Sequence, residues 1–295
     1  MNYKRSFNIC CLITLIAFLT GCQAMEQILK STGHEKEARM VKTTATAGAA
    51  LMPFSIDEEV EIGRTMAARL IEASGGLGPD EKLNRYVNLV GRYIALHVSR
   101  EDLDSSLYQF AVVNTDEINA FAMPGGYILI TRGALKNIQN ESELAGVLAH
   151  EIAHVDKGHM LSAIKTAYGM QFLGQMAEIY NEKNNNKLNQ MLSNSSEFGL
   201  TTLYQKGLSR ESEEEADQEA VKLLAACGYQ PDGLKNFLNR IKDQGNQNAS
   251  FLKTLAATHP NPLERIKTID DYLARKNLDK TTGQSLTERY QTFYH

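Results

Sequence analysis

Apolar residues recur every three or four positions, with charges between them, from Ile56 to Ala73 and from Asp80 to Val98, and both stretches predict amphipathic helices. Leu107 to Val113 and Gly126 to Thr131 are short and rich in β-branched and aromatic side chains, which predicts strands, with a turn at Pro124-Gly125-Gly126 before the second. A long helix is expected next: Asn140 and Glu143 have the spacing of a capping box, and the pattern behind them runs to about Ala167. Asn181 to Ser196 is dominated by Asn and Ser and has no period that could bury a face, so it reads as a mobile loop. Helical patterns resume over Arg210 to Cys227, Pro231 to Lys242 and Pro262 to Lys276. The expectation is one α+β domain, predominantly α-helical, with a small antiparallel sheet.

The N-terminus belongs to none of these elements. Lys4 and Arg5 precede an apolar run from Ile9 to Leu19, too short to cross roughly 30 Å of hydrocarbon but of the right form for an export signal. Leu19-Thr20-Gly21-Cys22 has the form of a bacterial lipobox, in which the Cys22 thiol is acylated and the chain is cut before it. Acyl chains contribute ~0.8 kcal/mol per buried CH₂ and would hold the protein on a membrane without a spanning helix. Gln23 after the lipidated position points to the outer membrane, facing the periplasm. The expected organisation is therefore a lipoprotein signal peptide over 1–21, a tether over 22–52 and one folded domain over 53–295.

At 43% hydrophobic and 22% charged residues the composition is that of a globular protein, which excludes wholesale disorder and a multi-span membrane protein. The net charge of −4 becomes −6 once Lys4 and Arg5 leave with the signal, and a chain so balanced carries no basic footprint for nucleic acid. Of the four cysteines, Cys10 and Cys11 leave with the signal and Cys22 carries lipid. Cys227 alone cannot form an intrachain disulfide, so stability in an oxidising compartment must come from the core or from a metal.

The metal is written into His150-Glu151-Ile152-Ala153-His154. Residues four apart share one helix face, so His150 and His154 can present two ring nitrogens to one cation. Glu151, rotated ~100° from His150, stands beside the open position, where a general base belongs. Leu144, Val147, Leu148, Ile152 and Val155 make this helix apolar around much of its circumference, and two imidazoles buried there without a partner would cost several kcal/mol. A catalytic zinc also needs a third protein ligand and a vacancy. A third histidine ten positions after His150 is excluded, because Met160 stands there; His159, one position short, reads as a supporting or structural residue. The third ligand is then a glutamate from a later helix. The face through Glu213 continues with Ala216, Asp217, Ala220, Leu224 and Cys227, whereas the face through Glu215 continues with Gln218, Glu219 and Lys222 and is solvated. A carboxylate heading an otherwise buried stripe needs a cation, which selects Glu213 as ligand. Asp217, one turn on, can accept the outer ring N–H of a ligating histidine. On the same stripe Cys227 reads as a core residue rather than a nucleophile.

His150-Glu151-x-x-His154 together with Ser209-Arg210-x-x-Glu213-x-x-Ala216-Asp217 resembles the gluzincin peptidases of the CAAX prenyl protease 1 and HtpX family, nearest to the soluble exported members of BepA/LoiP type. The run Asn119-Ala120-Phe121-Ala122-Met123-Pro124-Gly125-Gly126 is similar to the family's strand before the active-site helix, and Thr258-His259-Pro260, followed by Arg265, to a late segment whose histidine lies near the metal. The resemblance covers about Ile56 to Lys276. It implies a zincin-like endopeptidase with one Zn²⁺ per chain, without membrane helices and without the helical repeats some exported members carry. Zinc held by His150, His154 and Glu213 would polarise the scissile carbonyl, with Glu151 moving the proton. His259 would be an additional ligand at rest or a donor to the oxyanion, and Arg265 a supporting residue. Gly126, Tyr127 and Ile128 are expected on the edge strand where an extended substrate docks. Substrates would be unfolded or misassembled envelope proteins. The competing expectation is a lipid-anchored chaperone or assembly factor for outer-membrane proteins whose zinc is mainly structural.

Overall fold

The computed structural model describes residues 54–166, 207–245, 258–259, 262–278 and 282–294. The expected signal, tether and lipidation site at Cys22, the loop Asn181 to Ser196 and Pro260 lie outside the described residues. The chain divides into two compact units, Met1–Phe54 with Ile164–Met191 and Ser55–Ala163 with Leu192–His295. In the first, the Lys165 ammonium stands 5.5 Å from the centre of the Phe54 ring. The second carries the sheet and all the helices numbered here.

Helix α1 (Ile56–Ala73) starts at a full capping box between Ser55 and Glu58 and turns Ile62, Met66 and Leu70 inward. Helix α2 (Glu81–Ala95) starts at Asp80, whose side chain accepts from the Leu83 N–H, and buries Leu83, Val87, Val90 and Ile94. Strands β1 (Gln109–Val113), β2 (Ala120–Met123) and β3 (Tyr127–Thr131) follow, then the short α3 (Arg132–Leu135) and the central α4 (Glu141–Asp156). Helices α5 (Arg210–Ala226), α6 (Gly233–Gly245), α7 (Pro262–Arg275) and α8 (Thr287–Tyr294) complete the described elements. All of α4 is buried, packed between α5, α6, α2 and the sheet.

Two expectations are corrected by the sheet. Its order is β1-β3-β2, with β1 parallel and β2 antiparallel to β3, so it is mixed rather than antiparallel. Strand β3 is central, and Tyr127 and Ile128 therefore do not lie on an edge. Gly126 belongs to the turn before β3. The reason is the tight turn at Pro124–Gly126, which folds β2 back along β3 and leaves β3 between its neighbours. Gly125 adopts φ +71° there, and a β-carbon on it would come within 2.5 Å of the Val60 backbone, so α1 can close on the turn only over glycine. Glu59 of α1 accepts the Gly125 N–H at 2.9 Å and pairs with Arg100, which also donates to the Val155 carbonyl at the end of α4. The turn is thereby tied to the helix that carries the histidines.

A third correction concerns α4, which stops at Asp156 instead of running to Ala167. Gly158 takes φ +64°, a left-handed conformation that ends the helix, and a new helical run begins at 159.

Glu141, the first residue of α4, is fully buried and accepts hydrogen bonds from Tyr86 Oη and Tyr229 Oη, both at 2.6 Å, and from the Arg289 guanidinium of α8. Burial pushes its carboxyl up, but Arg289 and the two tyrosines outweigh that and hold it below the ordinary range. Because the folded value is the lower one, the stability it contributes is present above the unfolded carboxylate range and is lost as the pH falls through the folded value. Glu141→Ala strands two buried hydroxyls and should lower stability at neutral pH by about 2–5 kcal/mol, read from the denaturant midpoint.

Candidate metal centre

The geometry is set by two helices facing each other. Helix α4 presents His150 and His154 one turn apart, and α5 approaches through the small Ala216 and Ala220, both fully buried. The Nε2 atoms of His150 and His154 lie 3.0 Å apart, and each is 3.5 Å from an oxygen of Glu213. Ligands about 2.0–2.1 Å from a tetrahedral zinc stand roughly 3.3–3.4 Å from one another, and the spacings here, from His150 to one Glu213 oxygen and from His154 to the other, are close to that. His259 joins them: its Nδ1–H donates to both Glu213 oxygens at 3.0 and 3.1 Å, and the four residues offer donor atoms within 4.8 Å of one another. His150, His154 and Glu213 are each no more than 2% exposed, and the donor set of imidazole and carboxylate is the one zinc prefers. Glu151 is buried beside them, 3.8 Å from His259 Nε2, and its carboxyl belongs to no ligand pair.

The supporting residues form a continuous network. His150 Nδ1 lies 3.0 Å from Asp217 Oδ1, the contact expected of Asp217 from its place one turn after Glu213. Arg265 of α7, also buried, clamps Asp217 through Nε at 3.0 Å and Nη2 at 2.6 Å. His154 Nδ1 lies 2.8 Å from His159 Nδ1. Asn119, just before β2, donates through Nδ2 to Thr258 Oγ1 at 3.2 Å and so ties the strand to the segment carrying His259. His159 Nε2 lies 3.2 Å from Glu215 Oε2, and neither this nor the Asn119–Thr258 contact is legible in residue spacing, since each joins segments far apart in the chain.

The electrostatics separate the groups. Burial and Arg265 push the His150 imidazole down, but Asp217 and Glu213 prevail and lift it to about 9. Burial and the neighbouring His150 charge hold His154 well below its ordinary value. The 3.0 Å contact brings the two Nε2 atoms together where a single cation fits between them and Glu213. Burial opposes ionisation of Glu213, yet His259 and His150 keep its carboxyl well below the usual range. Burial likewise opposes Asp217, and Arg265 with His150 holds it low. Glu151 moves the other way: burial raises its carboxyl against the pull of His259 and His150.

The centre opens on a narrow cleft lined by Ala120, Phe121, Ala122, Glu151, His154 and His259. A roomier cavity of about 530 Å³ lies between α2, α8 and the end of α5, lined by residues such as Tyr86, Tyr93, Tyr229 and Cys227. It holds none of the cation donors. Burial pushes the Cys227 thiol in its wall up to about 11, which fits a core residue and not a nucleophile.

The model of peptidase family M48 matches residues 81–273, from the start of α2 almost to the end of α7, and so takes in the sheet and every residue of this centre. The chain belongs to peptidase family M48. Membership makes a metallopeptidase centre of His150, His154, Glu213 and His259, and zinc is the metal those donors fit. The chain is 30% identical over 233 residues to the β-barrel assembly-enhancing protease of Yersinia pestis, covering 75% of this chain and 44% of that protein. It is 28% identical to the protease of the same name from Escherichia coli K12, covering 85% and 50%. Metalloprotease YcaL of E. coli K12 is 23% identical, with 92% of this chain and 98% of that protein covered. The chain thus spans about half the length of the β-barrel assembly-enhancing proteases it matches. Among the described residues no helix is long and apolar enough to cross a membrane.

Proposed function

We propose that this M48 peptidase cleaves unfolded or misassembled proteins of the bacterial cell envelope, held by acyl chains on Cys22 at the outer membrane and facing the periplasm. The observation that carries the reading is the triangle of His150, His154 and Glu213 with Glu151 unligated beside it. Zinc, when bound there, supplies a Lewis acid for the scissile carbonyl and a water acidified toward pKa ~7. Glu151, its carboxyl raised by burial, takes up the proton and returns it to the leaving amine. His259, within the cluster of donors, serves as a further ligand in the resting site. Asp217 and Arg265 hold the tautomer of His150.

Substrate docking belongs to β2, at the outer position of the sheet beside Glu151 and His154. Thr131 N–H donates to the Asn119 carbonyl, so the antiparallel alternation directs the backbone groups of Ala120 and Ala122 away from β3 and toward the cleft. An extended peptide bonded to that backbone gains affinity with little side-chain selection, which suits unfolded chains. The envelope assignment is supported by the export signal and lipobox, and by relatives named for β-barrel assembly.

The test is proteolysis of reduced, unfolded casein with zinc counted in the same sample. One zinc per chain is expected, with cleavage abolished by a chelator and restored by stoichiometric zinc. Metal-stripped protein that cleaves as fast as the loaded form overturns the reading.

A further inference from the structure

The two histidines would face a zinc through Nε2, which leaves the far nitrogen of each, Nδ1, to be held by another group. For His150 that group is Asp217. For His154 it is His159, with Nδ1 to Nδ1 at 2.8 Å, and His159 Nε2 in turn lies 3.2 Å from Glu215 Oε2 on α5. The protons along this chain can be placed in one consistent way. If His154 keeps a lone pair on Nε2 for a cation, its proton is on Nδ1 and is donated to His159 Nδ1. His159 then carries its own proton on Nε2, and Glu215 accepts it. A break in the helix makes the contact possible. On an unbroken helix His159 would point ~140° away from His154, whereas the left-handed turn at Gly158 brings the ring back over it.

We propose that His159 and Glu215 are positioning residues for zinc, a His154–His159–Glu215 relay that fixes the tautomer and ring plane of the second histidine ligand. The inference rests on the zinc site formed by His150, His154 and Glu213. It assigns a role to Glu215, whose helical face reads as simply solvated. The two histidines are held unequally. Asp217, behind His150, is completely buried, while the relay ends on a carboxylate whose side chain is 56% exposed. Water competes for that last bond, so His159 carries more of the effect than Glu215.

The experiment is zinc competition against a fluorescent chelator for the wild type, His159→Phe, Glu215→Ala and Glu215→Gln, with the absorption bands of the Co²⁺-loaded proteins alongside. His159→Phe should raise the zinc Kd about 10–100-fold and shift the cobalt bands. Glu215→Ala should raise it by up to about fivefold, and Glu215→Gln, which keeps an acceptor oxygen, should stay nearer the wild type. A purely structural role for His159 would change thermal stability and leave the cobalt bands where they are. If His159→Phe does not fold, the exposed Glu215 pair decides. Wild-type protein that binds one zinc while every folded variant matches its Kd and cobalt spectrum overturns the relay alone. A wild type that binds no zinc overturns the metal site as well.

Discussion

Glu151→Gln should lose about 10²- to 10⁴-fold in cleavage of unfolded casein while still binding one zinc per chain. The two halves of this expectation come from one geometric fact. Glu151 follows His150 on α4, so its carboxyl points beside the ligand triangle rather than into it, with His259 Nε2 3.8 Å away. A glutamine has the same shape and retains the packing of a residue only 3% exposed, so neither the helix nor the metal should be disturbed. What disappears is the proton acceptor. Burial raises the Glu151 carboxyl above the ordinary carboxylate range, which makes it a stronger base than an exposed glutamate. Zinc content by metal analysis and the initial rate of casein cleavage are the two measurements. Full cleavage by the zinc-loaded variant would remove Glu151 from the reaction. Loss of cleavage with an intact envelope phenotype would favour an assembly factor whose zinc is structural.

The grouping of the candidate ligands was legible in the sequence because helix periodicity converts spacing directly into faces. His150 and His154 four apart, and Glu213 at the head of the Ala216, Ala220 and Leu224 stripe, needed only the angle per residue and the cost of burying charge. Asp217 followed one turn later for the same reason, and the structure brings it within 3.0 Å of His150. The sheet was less legible. Strand β2 buries all four of its side chains and so lacks alternation, which left the edge assigned to Tyr127 and Ile128 of a strand that has neighbours on both sides. Helix α8 escaped because only Tyr290 of its eight residues is buried. The long helix was overextended through Gly158, a residue that is tolerated within a helix but here takes the left-handed turn that brings His159 to His154. Thr258 and Asn119 meet across 139 positions, a pairing for which no local pattern exists. Which residues share a helix face was visible; the chain reversals that join His159 to His154 and Asn119 to Thr258 were not.

Glu213→Gln should give the largest loss of metal of any single conservative change in the site, more than the roughly 100-fold upper range for a supporting residue. The substitution keeps the shape of the side chain and its place at the start of α5, where Ser209 caps the helix, so the fold has no reason to change. It removes the one negative charge that faces both ligating nitrogens. No neighbour can replace it. Asp217 is committed to Arg265 and His150, and Glu151 is pushed by burial toward its neutral form. Arg265, 3.9 Å from Glu213, would then face the cation with less compensation, and two neutral imidazoles cannot offset a divalent charge among residues so deeply buried. Casein cleavage should fall below detection at equimolar zinc, and large zinc excess should recover little of it. Circular dichroism checks that the helices persist, and chelator competition gives the affinity. Glu214→Gln on the exposed side of the same helix is the control and should leave both unchanged. If Glu213→Gln retains one zinc at wild-type affinity, the carboxylate is not a ligand and the third corner of the triangle must lie elsewhere.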